Sequence, residues 1–310
     1  MANEIQKTQP KFSVVIQTDI YKNLINNTLG NPKKAERFIA SISSAVATNP
    51  NLQQCEAGTI LSAALLGESL DLNPSPQLGH YYLVPYKNNK TGSTEAQFQL
   101  GWKGYYQLAI RSGQYKDLDV LEIKEGEYLG RDKQTGKQKF EFIEDEETRL
   151  SKPTIGYLGY FELLNGYRKQ IYMSKTEMEK HADTYSKAFN LADYNKLKAG
   201  QIPEKDMWKY SSYWYKDFDG MAFKTILRRL ISKYGVMSIE MQEAYTKDMS
   251  VMKENGDYEY VDNPVEEAKT IEEEPAKEVA NTGKKEVANT GKKEVANTGK
   301  KEVHKLEEVE

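Results

Sequence analysis

Apolar residues repeat three and four positions apart in several stretches of the chain, which is the spacing of one face of a helix. This pattern predicts helices over residues 33–48, 56–70 and 220–234, and a shorter helix over residues 103–113 that Gly113 ends. The stretch LNPSPQLG at 72–79 contains two prolines, so it is predicted to be a loop between elements.

Apolar and polar residues alternate in other stretches, as in strands that are buried on one face. The predicted strands are 80–87, 95–102, 117–124, 137–143, 154–164 and 167–173. The turn NNKTGS joins the first two into a hairpin, and Asn165-Gly166, a sequence typical of a type I′ turn, joins the last two. Ser174 and Glu177 match a capping box that opens a further helix. The predicted fold class is α+β, a mainly antiparallel sheet with hairpins flanked by helices and followed by a disordered C-terminal tail.

The last part of the chain lacks both patterns. KEVANTGK occurs three times in tandem, at 277–284, 285–292 and 293–300, and the repeat has no aromatic residue to build a core. Residues 261–310 hold 13 acidic and 9 basic side chains, which leaves 33 acidic and 34 basic side chains in the preceding 260 residues. We therefore predict a folded core over residues 1–262 and a disordered acidic tail over 263–310.

Composition excludes several kinds of site. The one cysteine, Cys55, cannot form an internal disulfide or a multi-cysteine zinc site, and we expect it to be a small buried residue. No run of 18 apolar residues occurs, and a reducing cytoplasm is the expected location. GRDKQTGK at 130–137 lacks the spacing and the final Ser or Thr of a phosphate loop, so it is predicted to be a hairpin turn. No nucleotide or other cofactor is expected.

The helix predicted over residues 220–234 has an unusual charge pattern. Its polar arc holds Lys224, Arg228, Arg229 and Lys233 with no carboxylate, although like charges four residues apart repel each other. Gly235 follows at the C-cap position. A solvated basic face would tolerate this small cost, but a bound polyanion explains the pattern better.

Two further acid-free stretches mix aromatic and basic residues. They are GWKGYYQLAIRSGQYK at 101–116 and KYSSYWYK at 209–216. Single-stranded nucleic acid is bound by this combination, because cations meet its phosphates and aromatic rings stack on its bases. Most tyrosines in a half-buried sheet only pack, yet three basic stretches without acids favour a local single-strand site.

Asp217 and Asp219 allow a different interpretation. A D-x-D pair could bind Mg²⁺ in a nuclease, whereas a single Asp at this position would cap the helix that follows. Capping is the more common role. The nuclease remains an alternative, as does a filament protein that coats DNA without annealing it.

Three segments resemble the RecT family of phage recombinases, which are single-strand annealing proteins. These segments are ESLDLNPSPQLGHYYLVPY at 68–86, FQLGWKGYYQLAIRSGQY at 98–115 and DFDGMAFKTILRRLISKYG at 217–235. The resemblance covers about residues 15–250 and implies an α+β core, annealing of complementary DNA strands without ATP, and assembly into rings or filaments. It also implies a bacterial host cell, with a phage exonuclease and the host single-strand-binding protein as partners.

The resemblance and the basic aromatic stretches together give ten candidate DNA-binding residues. The resemblance assigns the role to Lys103, Tyr105, Arg111, Lys216, Lys224, Arg228 and Arg229. The composition of the two aromatic stretches adds Lys116, Lys209 and Tyr213. No catalytic residue and no metal ligand is expected, so we interpret the chain as a non-enzymatic strand-annealing protein.

Overall fold

A computed structural model describes residues 10–88, 91–253, 255 and 257–260. Its helices are α1 Phe12–Val15, α2 Asp19–Leu29, α3 Pro32–Thr48, α4 Ala57–Ser69, α5 Trp102–Arg111, α6 Glu146–Ser151, α7 Lys175–Tyr185, α8 Leu191–Lys198, α9 Tyr213–Lys216, α10 Phe218–Tyr234 and α11 Ile239–Lys247. Short 3-10 helices cover Pro50–Gln54 and Glu204–Lys209. The strands are β1 Tyr81–Lys87, β2 Thr94–Leu100, β3 Tyr115–Lys124, β4 Tyr128–Arg131, β5 Gln138–Phe140, β6 Thr154–Leu163, β7 Arg168–Ser174, β8 Ser250–Met252 and β9 Tyr258–Tyr260.

The strands form three antiparallel sheets. Their orders are β1-β2-β8-β9, β3-β6-β7 and β4-β5. Strand β2 pairs with β1 and β8, so Gln97 lies opposite Val251 although 154 residues separate them along the chain. The predicted α+β class with hairpins flanked by helices is therefore confirmed.

Helix α10 lies in the core of the molecule, against the sheet of β3, β6 and β7. Ile226 and Leu230 are fully buried and pack on Gly159 of β6, where a Cβ would overlap the Ile226 side chain. Phe223 packs edge-on against Tyr157 with ring centroids 6.0 Å apart. The buried face of the helix therefore depends on a glycine that lets helix and sheet approach closely.

The predicted caps are present. Ser174 and Glu177 form the capping box of α7, and the Asp217 side chain accepts a hydrogen bond from the Gly220 N–H at 3.0 Å as the cap of α10. Each of these side chains takes up backbone N–H groups that the first turn of a helix leaves unpaired. The start of α10 therefore follows from local sequence.

The predicted turn type at Asn165-Gly166 is wrong, and the predicted C-cap at Gly235 is confirmed. Gly166 has φ +83°, but Asn165 does not have positive φ, and the Leu163 N–H donates to the Tyr167 carbonyl. The connection is thus a three-residue loop that ends in a left-handed glycine, rather than a type I′ turn. Gly235 is the C-cap of α10 as predicted, and its N–H donates to the Ile231 carbonyl at 2.9 Å. Its backbone is extended, and glycine is needed there because a Cβ would overlap the Tyr115 hydroxyl.

The hairpin around residues 130–137 is confirmed, since Arg131 pairs with Gln138 across its turn. The sequence pattern missed its first strand, β4, which has four residues. The predicted tail over 263–310 lies outside the described residues.

Candidate nucleic-acid interface

The segments that carried the family resemblance meet at one surface. The Gly101 N–H donates to the His80 carbonyl at 2.8 Å, which places the start of α5 against the loop that precedes β1. A Cβ on Gly101 would overlap the Gly79 carbonyl, and a Cβ on Gly104 would overlap the His80 carbonyl. Glycines at these two positions therefore allow the loop and the helix to approach closely.

Aromatic rings connect that junction to the segment before α10. The rings of Tyr82 and Tyr213 lie 5.0 Å apart, and Tyr213 is 37% exposed. Trp102 is partly exposed and packs edge-on against Phe223 at 5.6 Å. These rings lie in or beside solvent, where a base could stack on them.

Two lysines with free ammonium groups accompany these rings. Lys103 is exposed, its ammonium lies 5.7 Å from the Trp102 ring, and its side chain runs beside Gly79. Lys216 is exposed and follows Tyr213 by three residues in α9. Neither lysine forms an ion pair within the described part of the chain. We call the surface formed by Tyr82, Trp102, Lys103, Tyr213 and Lys216 the motif face.

His80 borders the motif face without adding charge at neutral pH. Its Nδ1 accepts a hydrogen bond from the Asn73 N–H at 3.3 Å. Partial burial, with the nearby positive charges of Arg111 and Lys103, lowers the pKa of His80. The imidazole is therefore neutral at pH 7 and can donate only from Nε2.

The prediction that Lys224 lies on an exposed arc of α10 is wrong. Lys224 is only 6% exposed, and its ammonium donates to Asp248 Oδ1 at 2.9 Å. The same carboxylate accepts from the Leu100 N–H at 2.8 Å and from the hydroxyl of buried Tyr105 at 3.1 Å. Burial lowers the pKa of Lys224, and the ion pair with Asp248 opposes that shift.

Arg228 completes this buried group. Its guanidinium lies 4.5 Å from the Tyr245 ring centroid and 3.9 Å from Asp248 Oδ2. Asp248, Lys224, Arg228 and Tyr105 therefore join α10, α5 and β2 from inside the protein. Lys224 and Tyr105 are too buried to contact DNA directly in this conformation.

Three other residues predicted to contact DNA form ion pairs with acidic residues of the same chain. Arg111 pairs with Asp71 at 3.2 Å and donates to the Leu70 carbonyl at 2.9 Å, just after α4. Lys116 pairs with Glu162 at 2.7 Å, and Lys209 pairs with Asp206 at 2.8 Å. All three are exposed, so their ion pairs could exchange for phosphates, but each would first lose a partner.

A second cationic surface lies at the other end of α10. Arg229 and Lys233 are exposed, and the ammonium groups of Lys169 and Lys233 lie 4.2 and 5.5 Å from the Tyr234 ring centroid. Arg229 reaches the sulfur of Met173 on β7 at 3.1 Å. None of the three cations has a carboxylate within ion-pair distance among the described residues. We call the surface formed by Lys169, Arg229, Lys233 and Tyr234 the distal face.

The candidate residues that sequence reasoning left out fall into two kinds. Tyr82 and Trp102 belong to the quoted segments HYY and GWKGYY, so local composition could have selected them. Lys169 lies on β7 and reaches Tyr234 only through the packing of β7 on α10. No local sequence signal identifies that contact.

The two carboxylates of the D-x-D pair are held by the protein itself. Asp217 caps α10, and the Tyr157 hydroxyl donates to Asp219 Oδ1. Burial and this hydrogen bond to Asp219 raise the pKa of Tyr157, so the hydroxyl remains a donor. The prediction that one Asp of the pair caps the helix is confirmed. Within the described residues, no three His, Cys, Asp or Glu side chains are grouped as metal ligands.

Cys55 lies away from the motif face. It is 4% exposed and borders an open cleft of about 680 Å³ that Glu56, Glu95 and Lys253 also line. Burial, reinforced by the negative charges of Glu56 and Glu95, raises the pKa of the Cys55 thiol to about 12. The thiol is protonated at neutral pH, so it is a poor nucleophile, and the prediction of a small buried residue is confirmed.

None of the helices among the described residues has the length and apolar character needed to cross a membrane.

Comparison with known proteins agrees with the three segments. The model of the RecT family matches residues 36–262. The chain is 35% identical over 284 residues to the uncharacterized protein YqaK of Bacillus subtilis strain 168, covering 88% of this chain and 86% of that protein. It is 28% identical over 251 residues to protein RecT of Escherichia coli strain K12, covering 75% of this chain and 81% of that protein. The chain therefore belongs to the RecT family of recombination and strand-annealing proteins.

Proposed function

We propose that this protein binds single-stranded DNA and anneals complementary strands without ATP, as a homo-oligomer in phage recombination. The observation that carries the proposal is the motif face. There, Lys103 and Lys216 have no ion-pair partner among the described residues; Lys103 lies beside the Trp102 ring, and Lys216 shares α9 with Tyr213, whose ring packs on Tyr82. Cations without acids beside partly exposed rings suit a charged backbone with unpaired bases.

The geometry supports a specific division of labour within the site. Lys103 and Lys216 would neutralise phosphates, and Tyr82 and Tyr213, whose rings pack against each other at an angle of 40°, would offer a ring face to a base. Such contacts hold the backbone and one face of the bases, so the Watson–Crick edges stay accessible to a complementary strand. Sequence would then be read by base pairing alone, since the lysines would contact only phosphates.

The distal face extends the proposed path of the strand. Helix α10 separates the two faces, and at 1.5 Å per residue Lys233 lies about 20 Å along the axis from Gly220. Arg229 and Lys233 would contact phosphates farther along the strand. In an assembly, the distal face of one subunit and the motif face of another could form one continuous groove.

The buried group around Asp248 supports this role indirectly. Lys224 and Arg228 share one carboxylate, so the group carries an excess positive charge beneath the surface. It also fixes α5, which presents Lys103, to α10, since Tyr105 of α5 donates to the same carboxylate. We therefore reassign Lys224, Arg228 and Tyr105 from direct contacts to residues that position the site.

The test mixes complementary oligonucleotides with the protein in the absence of ATP and follows duplex formation and strand length together. We expect faster duplex formation and intact strands, and Asp219→Asn should anneal like the wild type if it remains folded. Binding without acceleration of annealing would favour the filament that only coats DNA. Mg²⁺-dependent cleavage that Asp219→Asn abolishes would favour the nuclease.

The proposed partners follow from the same function. A strand-annealing protein needs single-stranded ends, which a phage exonuclease would supply, and it would compete with or act on the host single-strand-binding protein. The proposed location is the cytoplasm of the bacterial host. Isolation of the protein with its bound partners from infected cells would test these contacts.

A further inference from the structure

Residues 128–152 form a unit of the molecule that the proposed DNA-binding faces do not use. Strands β4 and β5 make a sheet of only two strands, and its inner face packs through Tyr128 on Tyr172 of β7, with ring centroids 4.8 Å apart. Its outer face is open to solvent, and Leu129 there is 57% exposed. A two-stranded sheet is marginal by itself, so this one depends on its packing against β7.

The charge of the hairpin is entirely positive apart from Asp132, which pairs with Lys139 at 2.8 Å. Arg131, Lys133 and Lys137 are exposed and lack ion-pair partners within the described residues. Lys133 lies in the turn between β4 and β5, at the tip of the hairpin, whereas Tyr128 lies at its base. We call the exposed residues Leu129, Arg131, Lys133 and Lys137 of this hairpin the basic finger.

The opposite charge follows directly in the chain. Glu144, Glu146 and Glu147 are exposed and have no cation within ion-pair distance in the described part of the chain. Leu150 of α6, among these acids, is 65% exposed. Arg149 fixes α6, since it donates to buried Glu127 at 2.7 Å and to the Glu122 carbonyl at 2.8 Å. We call the surface formed by Glu144, Glu146, Glu147 and Leu150 the acidic base.

We infer that the basic finger of one copy of this chain docks on the acidic base of another copy. Each surface has one exposed leucine and three charges without an ion-pair partner in the described part of the chain, and the charges are opposite in sign. The basic finger and the acidic base do not pair with each other within one molecule. Helix α6 is held at the base of the hairpin, whereas the cations lie at its tip. A second copy supplies both complements at once.

DNA is a poorer occupant of the basic finger. The carboxylates of the acidic base belong to the same rigid unit and would repel phosphates along any strand that follows the hairpin to its base. A contact between two different surfaces of one chain is heterologous, so it builds rings or open filaments rather than closed dimers. The inference therefore assigns a surface to the self-association in the proposed function, on which it rests.

Charge reversal tests the contact. Lys133→Glu with Lys137→Glu reverses the finger, and Glu144→Lys with Glu147→Lys reverses the base. We expect each double variant alone to self-associate at least about tenfold more weakly in sedimentation velocity, because like charges then face each other. An equimolar mixture should recover large assemblies, and so should one chain carrying all four changes. Lys187→Glu with Lys205→Glu is the control for net charge, since both lysines are exposed and neither forms an ion pair with another described residue.

Binding of a short oligonucleotide, measured in parallel, separates this inference from the proposed function. We expect the finger variant to bind it as the control variant does. Assemblies of wild-type size in the finger variant would overturn the inference, as would a mixture that stays small. Unchanged assembly with lost oligonucleotide binding would instead make the hairpin a DNA contact. A wild-type protein that stays monomeric with and without DNA would refute the self-association itself, while its annealing rate could still be measured.

Discussion

Cations on α10 differ in role according to their surroundings, although they share one sequence pattern. Lys224 points inward to Asp248, Arg228 lies half-buried between that carboxylate and Tyr245, and Arg229 is exposed. Removing one partner of a buried ion pair is costly, because the remaining charge is left without its counter-ion and without water around it. Substitutions one helical turn apart should therefore affect different properties.

Lys224→Ala should lower the free energy of unfolding by roughly 3 kcal/mol, since it leaves the Arg228 guanidinium, 3.9 Å away, as the counter-ion of buried Asp248. Asp248→Asn should cost at least as much, because Lys224 and Arg228 then lose their shared carboxylate. Arg229→Ala, on the same helix, should change stability by less than about 0.5 kcal/mol. Urea denaturation measures all three. If Lys224→Ala is as stable as the wild type but binds DNA poorly, Lys224 is a direct contact and our reassignment is wrong.

The exposed lysines of the motif face should act on affinity and its dependence on salt. Lys103→Ala and Lys216→Ala should each weaken binding to all single-stranded sequences alike, and should flatten the slope of log K against log salt by about 0.7. Lys187→Ala, an exposed lysine outside both faces, is the control. Titrations between low and physiological salt provide the slopes. Slopes equal to that of the control would remove these lysines from the site.

Sequence reasoning selected segments that meet at one surface, but it could not distinguish their exposed side chains from the buried ones that support them. The helical pattern grouped Lys224 with Arg229, because Asp248, which binds Lys224, lies 24 residues downstream. Arg111 belongs to a basic aromatic stretch, yet it binds the Leu70 carbonyl 41 residues upstream. Whether a cation meets a partner so far away along the chain depends on tertiary packing, and local composition carries no information about that packing.

At the scale of elements, local signals predicted the elements well and their junctions less well. The capping box at Ser174 and the Asp217 cap involve residues three apart, so the sequence contains all of the interaction. The turn at Asn165-Gly166 instead follows the register of β6 and β7, in which Glu162 lies opposite Arg168. A glycine inside a helix usually destabilises it, but Gly104 allows α5 to contact the loop before β1 closely.

Gly104→Ala tests the junction between α5 and the loop before β1, because the sign of the change in stability shows whether the junction is tightly packed. In an exposed helix interior this change stabilises by about 1 kcal/mol. Here the new Cβ would overlap the His80 carbonyl, so we expect a loss of roughly 1–3 kcal/mol and weaker DNA binding as α5 moves Lys103. Gln107→Ala on the exposed side of α5 should be nearly neutral. Thermal melts distinguish the cases, and a more stable Gly104→Ala protein would show that the junction is loose.

At the scale of the whole molecule, charge is distributed unevenly along the chain. Residues 1–260 sum to about neutral, with 34 basic against 33 acidic side chains, so the proposed site depends on local faces and not on a global field. The family match ends at residue 262, before the KEVANTGK repeats begin. The annealing function should therefore reside in the part of the chain before the repeats.

Truncation after Asn263 should leave a protein that melts like the full chain and anneals oligonucleotides in vitro. The removed residues include 12 of the 13 acidic side chains beyond residue 260, with 9 basic ones, so their loss removes net negative charge and should strengthen DNA binding slightly. Annealing rates and salt titrations on both proteins test this. If the truncated protein anneals normally in vitro but fails to support recombination in the host cell, the repeats serve partner recruitment. If it folds yet no longer anneals, the tail is part of the annealing machinery and the boundary at 262 is wrong.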